Sequence, residues 1–282
     1  MPYDSNSIQP TLRQHVDVFV NSFFVKGARN HVRKTTYDAP WLNVGIMEKT
    51  NCEAFYSSTL FSGMNILSGE DYSLGHGFIH GYLSNSANDQ IERAVASLNA
   101  LDVEEIIFYH DESVRGLEMA CNLGLKLRFK PVSLLEWLIR KVKDHDENVH
   151  MIDADAAIQL PCSWSEGDEK NALIEELFRL IGVRRVKRTY DFNDRLCCGS
   201  RGYFGLATGH TSKDSEQSEI QAHRNIQDAK RAGAKYLVTT CPYCYASLAV
   251  ATKEAGMIPI QIEGLASMAL YREPLPDGLT FL

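Results

Sequence analysis

Ala234-Lys235-Tyr236-Leu237-Val238-Thr239-Thr240-Cys241-Pro242-Tyr243-Cys244 is the stretch on which the fold of this chain turns. Its first seven residues read as a buried strand. The C-x-x-C that follows carries a proline at its second position, where the first turn of a helix tolerates the missing N–H. A strand running straight into a helix is the repeating unit of an α/β fold. Both cysteines stand at the junction, near exposed backbone N–H groups and the positive end of a helix, a field that lowers thiol pKa and suits thiolate ligands.

Outward from this junction the chain alternates strand and helix. Upstream lie a long helix from about Ser218 to Ala232, a strand-like Val183 to Tyr190, and a helix from Asn171 to Ile181 with Leu173, Leu177, Leu180 and Ile181 on one side and Gly182 as its stop. Ala157 to Leu160 leads into Cys162, and Ile260 to Leu265 ends the series. The first half follows the same order. Asn43 to Ile46 leads to Cys52; Asp89 to Leu101 is amphipathic; Glu105 to Tyr109 is a strand running into His110-Asp111-Glu112-Ser113; a helix over Val114 to Leu123 and the segment Pro131 to Leu138 close it. Placing His110 on Cys241 needs an offset of 131 residues, and placing Val132 on Ile262 needs 130. Two landmarks agree within one residue, the signature of an internal duplication.

The expected fold is α/β: two pseudo-repeated units with parallel-sheet character, a site at loops on the carboxyl ends of the strands, and an N-terminal helix. The units are expected at 43–148 and 149–282, joined through the charged stretch Lys141 to Val149. Residues 1–42 form an N-terminal helical extension, with Thr11 as N-cap and Leu12, Val16, Phe19, Val20, Phe23 and Phe24 as its apolar stripe. That stripe either covers the chain's own core or docks a partner.

The thiols are distributed unequally between the halves. Five of seven cysteines lie in the second: Cys162, Cys197, Cys198, Cys241 and Cys244. Cys197 and Cys198 are neighbours, too close for unstrained disulfide geometry. With 29 basic and 36 acidic residues the net charge is −7, which argues against a general nucleic-acid surface. No signal-peptide pattern and no apolar run near the ~20 residues of a membrane span are present, so a soluble, cytoplasmic protein is expected, with its thiols reduced and available for metal or redox chemistry. Five thiolates exceed the four ligands of structural zinc, and the ligand count favours an iron–sulfur cluster. Zinc with one spare cysteine, and a thioredoxin-like dithiol, are the alternatives.

In the first half Gly75-His76-Gly77 stands where Cys197-Cys198-Gly199 stands in the second, and His110 and Ser113 replace Cys241 and Cys244. Only Cys52 keeps a ligand-like position, matching Cys162. His76 and His110 read either as ordinary loop or core histidines or, with Cys52 and His80, as a second zinc or iron site. Cys121 has the spacing of a small core residue.

The order Cys162, Cys197-Cys198-Gly199, Cys241-x-x-Cys244 resembles the cysteine-rich CCG domain of heterodisulfide reductase B-like proteins and their relatives, which include iron–sulfur subunits of succinate, glycolate and lactate oxidation. The resemblance runs over roughly residues 43–270, with the motifs in the second half. It implies that these five cysteines hold one non-cubane [4Fe-4S] cluster, that the first half is a degenerate CCG repeat, and that the chain acts on a disulfide or other sulfur substrate by single-electron steps. It equally implies partners: a ferredoxin-like iron–sulfur subunit and a flavoprotein subunit. An electron-relay subunit of a dehydrogenase complex and a zinc-stabilised interaction module are the competing readings. Two features depart from the family: the 42 residues between Cys198 and Cys241, and the continuation Arg201-Gly202-Tyr203-Phe204-Gly205. Near the motif, Tyr203, Phe204, His210, Lys213, Tyr243 and Tyr245 either shape access or supply protons, with Tyr203, His210 and Tyr243 the catalytic candidates, or serve as scaffold that excludes water and tunes a cluster's potential.

Overall fold

A computed structural model describes residues 30–36, 38–45, 54–74, 87–161, 167–199 and 212–273. By internal packing the chain divides into two compact units, whose described parts are 30–144 and 145–273.

In the first unit the strands are β1 (His31–Arg33), β2 (Trp41–Gly45), β3 (Asn65–Ser68), β4 (Glu105–Phe108) and β5 (Lys130–Ser133). They form one sheet in the order β1-β3-β2-β4-β5, parallel except for β1, which pairs antiparallel with β3 at the edge. The helices are α1 (Ala87–Asn99), α2 (Asp111–Asn122) and α3 (Leu134–Asp144). Successive residues of β4 point to opposite faces. Ile106 and Phe108 join Trp41, Leu67, Ile91, Leu98 and Leu117 in one core layer with α1 and α2. Beyond the end of β4, Tyr109 meets Phe55 edge-on at 4.8 Å, and Phe61 stacks on Trp137 of α3 at 5.7 Å.

Two expectations need correction here. The charged stretch from Lys141 begins inside α3 and not in a linker, because Val142 extends the buried stripe of Leu135, Leu138 and Ile139 by one turn. Cys121 is exposed, not a core residue. The buried side of α2 runs through Ser113, Gly116, Leu117 and Ala120, and Cys121 lies one position, a ~100° rotation, past it. The proposed N-terminal helix lies outside the described residues; within the range expected to be helical extension, β1 instead joins the sheet.

The second unit has β6 (Ala154–Gln159), β7 (Val183–Arg185), β8 (Tyr236–Thr239) and β9 (Ile258–Gln261), all parallel, in the order β7-β6-β8-β9. Its helices are α4 (Gly167–Ile181), α5 (Ser212–Arg231), α6 (Pro242–Glu254) and α7 (Ile262–Tyr271). α5 packs on α6, and α4 on α7. Gly182 ends α4 at φ +72°, the left-handed region that glycine enters without a Cβ penalty. Without β1, the first sheet has the same strand order as the second, and β4 and β8 stand 131 residues apart, the offset read from the sequence. The predicted strand Val183 to Tyr190 is shorter than expected. It pairs with β6 only over three residues, and after Arg185 the chain turns so that Arg188 is drawn inward.

Candidate metal centre at the carboxyl ends of the second sheet

β8 lies between β6 and β9 and is buried along its whole length. Past its end, Cys241 keeps an extended backbone and caps α6, with Pro242 as the first helical residue. The N–H of Tyr245 donates to the Cys241 carbonyl at 3.0 Å, closing the first turn. Cys244 sits in that turn, 2% exposed. The helix is apolar around most of its surface, with Tyr243, Tyr245, Leu248 and Ala249 all buried, so the two thiols enter the interior with it.

The second contribution comes from the turn after the single-turn helix Phe192–Asp194. Cys197 is half-buried and Cys198 buried. Gly199 follows at φ +91°, a conformation that only glycine enters readily, and forms a bend directly after the cysteine pair. Segments more than forty residues apart in sequence thereby bring their sulfurs together: the Cys244 thiol hydrogen-bonds with Cys198 and with Cys241. Those two bonds, then burial and the charges the neighbouring thiols would carry, hold its pKa well above the ordinary thiol range, opposite to the lowering expected from the helix N-terminus alone.

Among the described residues no group of three or more His, Cys, Asp and Glu already has the spacing of an ion site. The sulfurs instead touch one another, as protonated thiols do, and deprotonation by a bound metal would exchange those contacts for metal–sulfur bonds. The donor set suits a soft metal: three converging buried thiols, a fourth adjoining them in sequence, and a helix N-terminus to stabilise thiolate. The hydroxyls of Thr239 and Thr240, directly before Cys241, are buried with no hydrogen-bond partner among the described residues. They leave donors at the strand end that the sulfurs of an anionic cluster can accept from.

Cys162, Tyr203, Phe204, His210 and the side chain of Lys213 lie outside the described residues, as do Cys52, His76 and His80. His110, the remaining member of the proposed second site, is 1% exposed and caps α2 in the way Cys241 caps α6. Ser113 stands one turn on, buried, in the position of Cys244.

Three residues of this centre did not stand out in the sequence. Gln159 ends β6 and donates to the carbonyls of Leu160 (2.8 Å) and Leu196 (3.1 Å), and behind it lie Asn225 and Arg188. The available signals were an amide at the end of the apolar run Ala157 to Leu160, and Asn225 and Asp228 on the same stripe of α5 as buried Ile226 and Ala229.

None of the curated proteins matches this chain. Among solved structures, a hypothetical protein from Helicobacter pylori is similar in fold at 10% identity with a TM-score of 0.60, over 96% of this chain and 55% of that one. This chain therefore spans about half the length of that protein, and the likeness is one of fold alone. An aspartate racemase from Picrophilus torridus aligns over 86% of this chain and 99% of its own at 10% identity, with a TM-score of 0.41. Residues 156–249, the stretch that carries most of β6, the cysteine pair, β8 and the C-x-x-C, match the cysteine-rich domain family CCG.

Proposed function

We propose that this chain is the iron–sulfur subunit of a heterodisulfide reductase-like oxidoreductase complex, with one cluster, a non-cubane [4Fe-4S], held by Cys162, Cys197, Cys198, Cys241 and Cys244. The observation that carries this reading is the convergence of Cys198, Cys241 and Cys244, buried and hydrogen-bonded, within the segment that matches the CCG domain. When bound, the cluster supplies single electrons and iron sites for sulfur. The chain's residues do the rest. Four described cysteines and Cys162 provide thiolates, and the amino end of α6 stabilises their charge. Buried Tyr243 and Tyr245 keep water from the thiols and hold the helix in place.

The substrate is a disulfide or a related sulfur compound. Its reduction takes two electrons and two protons and releases two thiols. The electrons arrive from a flavoprotein subunit through a ferredoxin-like subunit, since no ferredoxin-type cysteine run and no G-x-G-x-x-G stands in this sequence. The complex works in the cytoplasm; among the described residues no helix is long and apolar enough to cross a membrane.

Anaerobic reconstitution with iron and sulfide, followed by metal analysis and electron paramagnetic resonance, tests the reading. About four iron and four sulfide per chain are expected, with a signal altered by a thiol substrate. A cluster indifferent to thiols makes the chain an electron relay, and stoichiometric zinc without sulfide overturns the cluster altogether.

A further inference from the structure

The last residue of β6 is Gln159, 1% exposed, in a strand whose other buried residues are Ala154, Ala156, Ala157 and Ile158. A buried amide is tolerated only when its donors and acceptor are satisfied. Both Nε2 protons are used, one on the Leu160 carbonyl at 2.8 Å and one on the Leu196 carbonyl at 3.1 Å. Its oxygen accepts from the Nδ2 of Asn225, itself fully buried on α5. The Asn225 oxygen accepts from Nη1 of Arg188, whose Nη2 donates to the Ile158 carbonyl. A guanidinium can only donate. Asn225 must therefore turn its oxygen to Arg188 and its NH2 to Gln159, and Gln159 must turn its NH2 to the two carbonyls. The direction of every bond follows from one cation, with Asp191 and Asp228 near enough to act on its charge.

We infer that Gln159, oriented by Asn225 and Arg188, is a positioning residue for the cysteine pair: it ties the carbonyl next to Cys197 to the end of β6, the strand that leads to Cys162. Its use to a cluster rests on the function proposed above; the tether itself does not.

The duplicated unit supports the assignment independently. In the first sheet Asn43 is registered with Phe108, and in the second Gln159 with Thr239. Phe108 and Thr239 each stand two residues before the cap residues His110 and Cys241, so Asn43 and Gln159 share one position. Asn43 is also buried, and its Nδ2 donates at 3.0 Å to the carbonyl of Tyr72, three residues before Gly75-His76-Gly77. Both units thus hold the loop entering the motif by an amide at the same strand end. The oxygen of Asn43 accepts instead from the N–H of Gly45 at 2.8 Å. The relay from an arginine belongs to the thiol-bearing unit.

Asn225→Asp is the deciding variant. It keeps the size of the side chain and its acceptor for Arg188 but has no donor for Gln159. Gln159 must then turn its NH2 to the new carboxylate and its oxygen toward the Leu160 and Leu196 carbonyls, which releases Leu196. In metal-free protein, iodoacetamide modification of Cys197 and Cys198, followed by mass spectrometry, is expected to speed up about tenfold, the effect of losing roughly one hydrogen bond. Circular dichroism should be unchanged. After reconstitution the paramagnetic signal should shift and the iron content fall. Gln159→Met, which removes the donors at similar volume, should do the same, and decides the matter if the first variant misfolds. Asn99→Asp, at an amide that donates to Lys126 in the other unit, should leave the modification rates of Cys197 and Cys198 at wild-type values. Wild-type rates in the two folded variants overturn the tether. Wild-type protein that takes up no iron overturns the cluster, and the modification rates still decide the tether.

Discussion

Cys198 and Cys121 are both cysteines of the described chain, yet their surroundings are opposite. Cys198 is buried against Cys244, whereas Cys121 is exposed on α2. Cys198→Ser is expected to lose most of the iron taken up on reconstitution, because a hydroxyl is a poor ligand for a soft metal. Cys121→Ser should keep all of it and change stability by less than about 0.5 kcal/mol; iron analysis and urea denaturation check both. The Cys244 thiol gives a pH dependence with a definite sign. Its folded pKa is raised by its hydrogen bonds to Cys198 and Cys241 and by burial, above an unfolded value of about 8.5. The stability it contributes is therefore full below about pH 8.5 and lost as pH rises through the folded value. Metal-free protein should show falling urea midpoints above that pH, and Cys244→Ala should flatten the fall. Metal binding runs the other way: ligation needs thiolate, so affinity rises with pH.

At the level of elements, the cysteine turn depends on what precedes it. Arg185, the last residue of β7, has a buried side chain, 6% exposed, that pairs with the equally buried carboxylate of Asp191 at the entrance to the turn Phe192–Asp194. It also reaches Glu175 of α4 at 3.0 Å and lies over the Phe192 ring at 4.0 Å. Arg185→Met leaves Asp191 buried without its cation, and a loss of about 3 kcal/mol is expected, measured by denaturant midpoint. Gly182, between α4 and β7, sits at φ +72°, where a side chain is strained, and a Cβ there would also come within 2.9 Å of the Met151 Cε, the end of a flexible side chain that must shift. Gly182→Ala should cost about 1 kcal/mol or more by the same measurement. The boundaries of these elements were partly legible. Gly182 as a stop and Pro242 as a helix start are local chemistry, and both stand where the sequence put them. The end of β7 is not local, since it depends on where its partner β6 ceases to pair and on Arg188 finding its acceptors on Ile158 and Asn225.

For the molecule as a whole, each unit has its own sheet, helices and core. Phe61→Ala removes the ring stacked on Trp137 in the first unit and should destabilise by about 3–5 kcal/mol. Because the thiols belong to the other unit, iron uptake per folded chain should stay at the wild-type level, which iron analysis of the folded fraction checks. The α/β class and the repeated succession of strands and helices were legible because strand and helix periodicity, and the residues at strand ends, are written in short stretches of chain. Cys241-Pro242-Tyr243-Cys244 shows this best: a strand end, a cap and a helix start within four residues. The meeting of Cys198 with Cys244 was not written in that way, nor was the exposure of Cys121. Both depend on packing between segments distant in sequence. The same holds for Gln159, whose amide acquires a role only when the turn before Cys197 comes back over β6. The sequence by itself determined which residue types are present and the order of the elements, because backbone preferences and apolar periodicity act over a few residues. The tertiary structure alone decided which thiols hydrogen-bond with one another and which amide bonds the carbonyl before Cys197, because burial and hydrogen-bond partners are properties of segments brought together across the chain.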